Sequence, residues 1–246
     1  MGFELIVIGI IIGGISGFFG VGGGMILVPV LITIGFDIKT AIGISIIQMV
    51  FSSFYGSYLN FKKGSLHLGS GLYVGIGGFV GGLIGGYITQ FVPASSLEYL
   101  FVGLMIFALY KLFKSTKIAD DAPTKSLHWS VLFFVGMAIS SFTISLGVGG
   151  SILLTPILAG ILHYPIKKAV SAGLFFVVFS SLAGLLGRLF SGELDIINGL
   201  YVGIASLIGV FVGIWLKDHV TSHKHKLLII GLYSIALLLM VNKIWF

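Results

Sequence analysis

Eight apolar segments, separated by short polar stretches, constrain this chain more strongly than any other feature of its sequence. They lie at about 3 to 35, 41 to 60, 68 to 91, 97 to 113, 128 to 162, 168 to 190, 195 to 216 and 226 to 245. A helix needs about 20 apolar residues to cross a bilayer. With 57% hydrophobic and only 9% charged residues, the sequence predicts an all-α polytopic membrane protein.

Two of these segments, 3 to 35 and 128 to 162, are too long for a single span, and a glycine-rich break interrupts each of them. The breaks read Gly20-Val-Gly-Gly-Gly-Met-Ile-Leu-Val-Pro29 and Gly147-Val-Gly-Gly-Ser-Ile-Leu-Leu-Thr-Pro156. Contiguous glycines ahead of a proline interrupt a helix, and unsatisfied backbone groups are costly in hydrocarbon. A paired break at corresponding positions therefore indicates the binding site of a transporter.

The two breaks belong to a longer internal repeat. They are 127 positions apart, and from residue 36 onward an offset of 128 aligns Phe51-Ser52-Ser53 with Phe179-Ser180-Ser181. One register kept across several loops indicates two copies of a single unit. The predicted organisation is a first repeat at 1-113, a cytoplasmic linker at 114-127 and a second repeat at 128-246, all within one membrane domain.

The distribution of basic residues predicts how the two copies are oriented. If each broken segment is a hairpin and the amino end is outside, eleven basic residues face the cytoplasm, and only Lys39, Arg188 and Lys243 face outward. A single crossing for each segment gives eight against six, so the positive-inside rule favours the hairpins. Each repeat is then a Gly-broken helix hairpin plus three transmembrane helices, and the repeats are inverted. Two complete short spans satisfy the same count, so the depth of the hairpins stays open.

The glycine breaks and the helix that follows them supply the candidate site. Each break precedes a new helical leg, whose first N–H groups and positive dipole end favour an anion. The predicted substrate-binding residues are Gly20, Gly22, Gly23, Gly24, Gln48, Ser52, Thr143, Gly147, Gly149, Gly150, Ser151 and Ser180. Two alternatives stay open, namely that the glycines allow close helix packing and that the hydroxyls bond to carbonyls of their own helices. Packing is the preferred interpretation for Gly77, Gly78, Gly81, Gly82, Gly85 and Gly86.

The residue types and spacings that the sequence lacks argue against several classes of function. The chain has no cysteine, no nucleophile paired with a base and no metal-ligand spacing, so the sequence predicts no enzyme, no catalytic residue, no metal and no cofactor. No ionisable residue is expected at the centre of a span, and the histidines are interpreted as solvated interfacial residues. The formal charge of +6 is assigned to loop lysines rather than to nucleic-acid binding. The expected partners are a small anion and the lipid bilayer, and a homodimer is left open.

The leading stretch GGISGFFGVGGGMILVPVL and its second copy LGVGGSILLTPIL carry a resemblance that covers essentially the whole chain. Together with the helix entries Lys39-Thr40-Ala41 and Lys167-Lys168-Ala169, they resemble the sulfite exporter TauE/SafE family. The resemblance implies transport of small sulfur-containing anions, such as sulfite, sulfonates or sulfoacetate, across a cytoplasmic membrane. It also implies that the glycine-rich segments lie at the substrate site. The alternatives are a passive anion channel and a transporter of another small anion.

Overall fold

The computed structural model describes residues 2–65, 71–114, 128–160, 166–189 and 194–245. Within these ranges the chain forms α-helices and one short 3-10 turn, Thr89–Phe91, with no strand. The helices are α1 Gly2–Phe19, α2 Gly24–Thr33, α3 Ile38–Lys62, α4 Gly71–Ile88, α5 Ala94–Lys114, α6 Trp129–Ser145, α7 Ser151–Gly160, α8 Ile166–Leu189, α9 Ile196–His219 and α10 Ser222–Trp245. The predicted all-α class is confirmed.

Most of these helices are long and apolar enough to cross a membrane. In the described ranges seven helices meet that condition: α1, α3, α4, α5, α8, α9 and α10. The predicted linker lies almost wholly outside the described residues, which omit 115–127. The helix α5 extends to Lys114, the first position assigned to that linker.

Both glycine-rich segments break their helices where the sequence predicts. The chain leaves α1 after Phe19 and begins α2 at Gly24, and in the second half it leaves α6 after Ser145 and begins α7 at Ser151. We call residues 20–23 tip 1 and residues 146–150 tip 2. Positive φ angles occur at Gly20 (70°), Gly22 (76°), Gly23 (91°), Gly147 (67°) and Gly149 (67°). Only glycine adopts this backbone readily, so the glycines are required by the breaks themselves.

The two legs of each hairpin differ in length. The first leg, α1, has 18 residues, whereas α2 has only 10. At 1.5 Å per residue α2 is about 15 Å long, half of the ~30 Å hydrocarbon core. The leg α7 also has 10 residues. At that length, neither second leg can cross the hydrocarbon core by itself.

Helix faces lined with glycines let the first leg of each hairpin, α1 or α6, pack closely on a helix of the other half. The helix α1 packs against α9, and its equivalent α6 packs against α4. A Cβ added at any of the glycines of these faces would lie against a backbone carbonyl oxygen of the opposite helix. The pairs are Gly9 with Val202, Gly13 with Ser206, Gly17 with Val210, Gly77 with Phe133, Gly81 with Met137 and Gly85 with Ser141. In both sets of pairs the residue numbers of the two helices increase together. The helix α1 is therefore parallel to α9, and α4 is parallel to α6.

The remaining packing glycines of α4 face α8. A Cβ at Gly82 would lie 2.5 Å from the Ser180 carbonyl oxygen, and one at Gly86 would lie 2.5 Å from the Gly184 carbonyl oxygen. Gly78 faces the ring of Phe176. The packing interpretation of the α4 glycines is therefore confirmed, since small residues let helix backbones approach closely in a membrane.

The helices α3 and α8 form the centre of the molecule. They pack against each other, α3 also packs against α9, and α8 also packs against α4. The short legs complete the arrangement, because α2 lies on α3 and α7 lies on α8. The two halves are interleaved, and the residues at the middle of α3 and α8 are placed beside both tips.

Candidate functional site

Tip 1 and tip 2 converge on the same two side chains at the middle of α3 and α8. A Cβ at Gly22 would lie 3.0 Å from Val177 Cγ1 and 3.2 Å from Met49 Sδ. A Cβ at Gly149 would lie 2.8 Å from Met49 Sδ and 3.3 Å from Val177 Cγ2. Met49 and Val177 are equivalent positions of the two repeats, 128 residues apart. The breaks from both halves therefore meet at one place.

The tips also contact each other directly. A Cβ at Gly24 would overlap the carbonyl oxygen of Gly147. That oxygen accepts a hydrogen bond of 2.7 Å from Ser45 Oγ on α3. On the other side, Ser52 Oγ donates to the carbonyl oxygen of Gly22 at 3.2 Å. Two serines of α3 thus hold one carbonyl from each tip.

All the sequence-predicted site residues are buried. The tip glycines, Gln48 and Ser52 come together around the contact between the tips. Several of the predicted hydroxyls, however, already donate hydrogen bonds to backbone carbonyls. Thr143 Oγ1 donates to the Ile139 carbonyl at 2.8 Å, and Ser180 Oγ donates to the Val177 carbonyl at 3.3 Å, each within its own helix. A hydroxyl has one proton, so these side chains and Ser52 have none left to donate to an anion.

Gln48 differs from these serines because neither atom of its amide has a hydrogen-bond partner. Its side chain is 0% exposed. The position that a Cβ would take at Gly23 lies 2.6 Å from Gln48 Oε1 and 3.0 Å from Gln48 Nε2. Gly23 is the N-cap of α2, so the amide lies beside the positive end of that helix. An unsatisfied buried polar group costs about 1–3 kcal/mol, and a ligand that bonds to the amide would remove that cost.

Two further unpartnered hydroxyls lie on α7, next to tip 1. Ser151 and Thr155 are buried, one turn apart, and neither side-chain oxygen has a partner. A Cβ at Gly173 would lie 2.9 Å from Thr155 Oγ1, 3.0 Å from Ser151 Cβ and 3.7 Å from the Gly20 carbonyl oxygen. Thr155 is absent from the sequence-predicted set. Its spacing of four from Ser151, on the first turns of the leg, is the signal that could have found it.

The interpretation of the histidines as solvated is wrong for His225. That side chain is 0% exposed, and its Nε2 lies 2.8 Å from the Phe18 carbonyl oxygen. Its ring also packs edge-on against Phe18 at 4.8 Å between centroids. The sequence placed it correctly near a helix end, but α10 turns this face toward the end of α1. His128, His219 and His223 are exposed, and His67 and His163 lie outside the described residues.

The ionisable residues collect at two opposite ends of the helical bundle. At one end, which we call the basic end, Lys63 Nζ lies 2.6 Å from Asp218 Oδ2, and Lys167 Nζ lies 3.3 Å from the Asp218 carbonyl oxygen. At the other end, Lys39 Nζ donates to the Gln90 carbonyl at 2.8 Å, and Arg188 Nη2 donates to the Lys39 carbonyl at 3.0 Å. The helix α3 therefore begins at the end where α8 finishes.

Asp37, outside the spans, caps α3 by accepting a hydrogen bond of 3.0 Å from the Thr40 N–H. Burial raises the pKa of this carboxyl, but hydrogen bonds from Thr40 and neighbouring N–H groups outweigh it and lower the pKa overall. The carboxylate form is therefore favoured at this cap. Across the described ranges, no group of three or more His, Asp or Glu side chains is placed to hold a metal ion.

The outer surface faces an apolar environment. On α9 the large side chains of Ile197, Ile204, Ile208, Phe211 and Trp215 are all more than half exposed, at 69%, 56%, 62%, 56% and 52%. They stand at helical spacing on the side away from α1 and α3. Such a stripe suits lipid rather than water. The molecule is an integral, multi-pass membrane protein.

Comparison with known proteins identifies its family. The family described as Sulfite exporter TauE/SafE matches residues 5–240. The chain belongs to this family of membrane transporters. It is 26% identical over 214 residues to the Probable membrane transporter protein YdhB of Bacillus subtilis (strain 168), covering 85% of this chain and 87% of that protein. It is also 26% identical over 234 residues to the Probable membrane transporter protein YunE of the same organism, covering 85% and 84%. No solved structure matches the chain.

Proposed function

We propose that this transporter carries a small sulfur-containing anion, sulfite or an organosulfonate, and binds it between tip 1 and tip 2. The observation that carries the proposal is the buried, unpartnered amide of Gln48 beside the N-cap of α2. A sulfur oxyanion accepts hydrogen bonds from several directions. Such an anion can accept hydrogen bonds from three sources: the amide N–H groups of Gln48, the free N–H groups at the start of α2, and the hydroxyls of Ser151 and Thr155.

The charge balance around the tips supports an anion as the ligand. The side chains that surround the tips are neutral, and they come from Gln48, Met49, Ser151, Thr155 and Val177. No carboxylate repels a negative ligand at this depth within the described residues. The first N–H groups of α2 and α7 have no acceptor within their own helices, and the dipole of each leg is positive at that end.

The inverted arrangement of the two repeats and the cytoplasmic membrane as location are part of the same proposal. In support, Lys39 and Lys167 are equivalent positions at the starts of α3 and α8, yet they bond to partners at opposite ends of the bundle. The basic end carries Lys63, Lys167 and Lys217, which the positive-inside rule assigns to the cytoplasm. An inverted pair of broken helices that meet at mid-depth is a common plan of secondary transporters.

The substitution Gly23→Ala tests the proposed site. Its Cβ would meet the Gln48 amide, and the alanine would have to adopt a φ of 91°. We expect sulfite affinity to fall at least tenfold, about 1.4 kcal/mol, in equilibrium binding on purified, monodisperse protein. Gly103→Ala on α5 is the control, since nothing lies within 4 Å of its added Cβ. If Gly23→Ala binds sulfite with wild-type affinity, the anion does not bind at tip 1.

A second experiment separates a transporter from a passive anion channel. Proteoliposomes loaded with unlabelled sulfite should take up labelled sulfite faster than empty ones, because an alternating-access carrier exchanges its substrate. Uptake should also saturate with external sulfite. A flux that rises linearly and shows no stimulation by internal sulfite would identify a channel. Stimulation by another small anion, but not by sulfite, would reassign the substrate.

A further inference from the structure

The last turn of α9 places a lysine inside the protein. Lys217 is only 1% exposed, although it stands near the end of a candidate span. Lysines at such positions ordinarily extend their ammonium group to the aqueous surface. Here Nζ turns inward and donates to Asn60 Oδ1 at 2.7 Å and to Ser171 Oγ at 3.1 Å. We call Lys217, Asn60 and Ser171 the Lys217 recess.

Both partners of the ammonium group are neutral. Among the described residues, the carboxylate that acts on Lys217 is that of the next residue, Asp218, and its Oδ2 lies 2.6 Å from Lys63 Nζ. The charged groups that act on Lys217 are Asp218, Lys63 and Lys167. One negative and two positive neighbours leave the recess with an excess of positive charge. A buried charge without a matching counter-charge is costly, so an anion would be stabilised here.

The recess also has hydrogen-bond donors to spare. An ammonium group has three N–H donors, and Lys217 uses two of them. The Nδ2 atom of Asn60 is buried and has no partner. The bond from Lys217 identifies the other amide atom as the oxygen, since a nitrogen there would place two donors together. One N–H of the ammonium group and both N–H groups of Asn60 Nδ2 therefore have no acceptor among the described residues, although the two side chains are joined through Oδ1. Such neighbouring free donors suit an oxyanion.

The recess lies close to the tips along α8. Val170, next to Ser171, has its Cγ1 2.5 Å from the position of an added Cβ at Gly20. Two residues further along, Gly173 faces Ser151 and Thr155 of the proposed tip site. Lys63 and Lys167 lie beyond Lys217 on the basic end, where they would attract anions from solution. Along α8, the recess therefore lies between the basic end and the tips.

We propose that the Lys217 recess is a second oxyanion site, which the transported anion occupies between the basic end and the tips. The role in transport rests on the proposed function, whereas binding at the recess stands on its own residues. The ligand class is a small inorganic oxyanion, for which sulfite and sulfate are suitable probes. Neutral dimethyl sulfone has similar oxygens without the charge and should not bind.

Binding of radiolabelled sulfite and sulfate to the purified full-length protein, by scintillation proximity, tests the recess. The variants are Lys217→Met, Lys217→Gln, Gln48→Met and the double variant Lys217→Met with Gln48→Met. We expect two classes of site in the wild type for at least one probe. Either Lys217 variant should lose one class and change the remaining affinity less than twofold. Gln48→Met should lose the other class, and the double variant should lose both.

The melting temperature distinguishes a binding role from a structural one. The direct partners of Lys217 are neutral, so Lys217→Met removes a buried charge that lacks a matching counter-charge, and this variant should melt no lower than the wild type. Unchanged binding of both probes in both Lys217 variants, or a single class in the wild type that only Gln48→Met removes, would overturn the recess. Loss of a class in the Lys217 variants, with none in Gln48→Met, would leave the recess intact and contradict the tip site.

Discussion

Tip 1 and tip 2 have positive φ angles at two equivalent pairs of glycines, Gly20 with Gly147 and Gly22 with Gly149, but they face different side chains. An added Cβ at Gly23 would meet Ile12 and the amide of Gln48, whereas one at Gly150 would meet Ile139 and the ring of Phe176. The isoleucines are 127 positions apart, and Gln48 and Phe176 are 128 apart, so both pairs are equivalent in the repeat. The same position beside the two tips is therefore polar in one half and aromatic in the other.

The short legs show the opposite difference. Ser151 and Thr155 of α7 correspond to Gly24 and Val28 of α2, so the unpartnered hydroxyls belong to the second half. One half supplies an amide and the other supplies hydroxyls. The duplicated backbone thus provides two helix ends of the same kind, and the diverged side chains make their surroundings different.

We propose above that the two compared halves are inverted, and cysteine labelling gives an all-or-none test of that relation. Lys39 and Lys167 are equivalent positions of the two repeats, and their side chains bond to residues at opposite ends of the bundle. The test uses the variants Lys39→Cys and Lys167→Cys. In intact cells an impermeant thiol reagent should label Lys39→Cys and not Lys167→Cys, while both should react in opened membranes. The chain has no native cysteine, so the background is clean. Labelling of both from outside would contradict the inversion.

The aromatic surroundings of tip 2 predict a large effect on stability. In Gly150→Ala the new Cβ would overlap the ring of Phe176 and lie 3.0 Å from Ile139 Cγ2. Overpacking of this kind costs about 1–3 kcal/mol, and we expect a loss of about 2 kcal/mol in unfolding by SDS in mixed micelles. Adding Phe176→Val should restore most of the loss. If the double variant is no more stable than Gly150→Ala, Phe176 is not the obstacle.

The amide beside tip 1 should affect binding more than folding. Gln48→Met keeps the shape of the side chain but removes its donors, so we expect sulfite affinity at the tips to fall at least tenfold, ~1.4 kcal/mol, enough to remove that class of site from the binding assay. Stability should stay level or rise, because an unsatisfied buried amide is lost. Phe176→Met at the equivalent position is the matched control. Equal losses of affinity in the two variants would remove the distinction between the tips.

The serines that contact the tips should show the smallest effect. Ser45→Ala removes the hydrogen bond to the Gly147 carbonyl, and we expect a loss of about 1 kcal/mol in unfolding free energy. Ser180→Ala removes only a bond to its own helix at Val177, so its cost should be less than half as large. Unfolding in mixed micelles measures both variants. Equal costs would show that Ser45 does not anchor tip 2.

Much of this fold can be predicted from the sequence, because the features that determine it depend on residues close together in the chain. The apolar segments predict the spanning helices because a chain in hydrocarbon must satisfy its own backbone groups. The breaks at Gly20 and Gly147 are predictable because only glycine adopts their backbone readily. The glycines of α4 are recognisable as packing residues from their spacing, and their contacts with α6 and α8 confirm it.

The candidate site was only partly predictable, because the state of a polar side chain depends on its neighbours. Ser52, Ser180 and Gln48 all look available on their helices, yet only Gln48 keeps its donors. Whether a hydroxyl bonds to its own helix, to a tip or to nothing is decided by rotamer and by the helix packed against it. The free hydroxyl of Thr155 is decided in the same way.

The sequence by itself determined the membrane class, the repeat and the position of both breaks, since these depend on hydrophobicity, register and backbone conformation. The tertiary structure alone decided which donors stay free and which charges are buried. Lys217 and His225 stand near helix ends, where a side chain can reach water or turn inward. The packing of α9 and α10 against their neighbours turns both inward. That choice depends on contacts between residues more than 150 positions apart in the chain, at separations of 157 and 207.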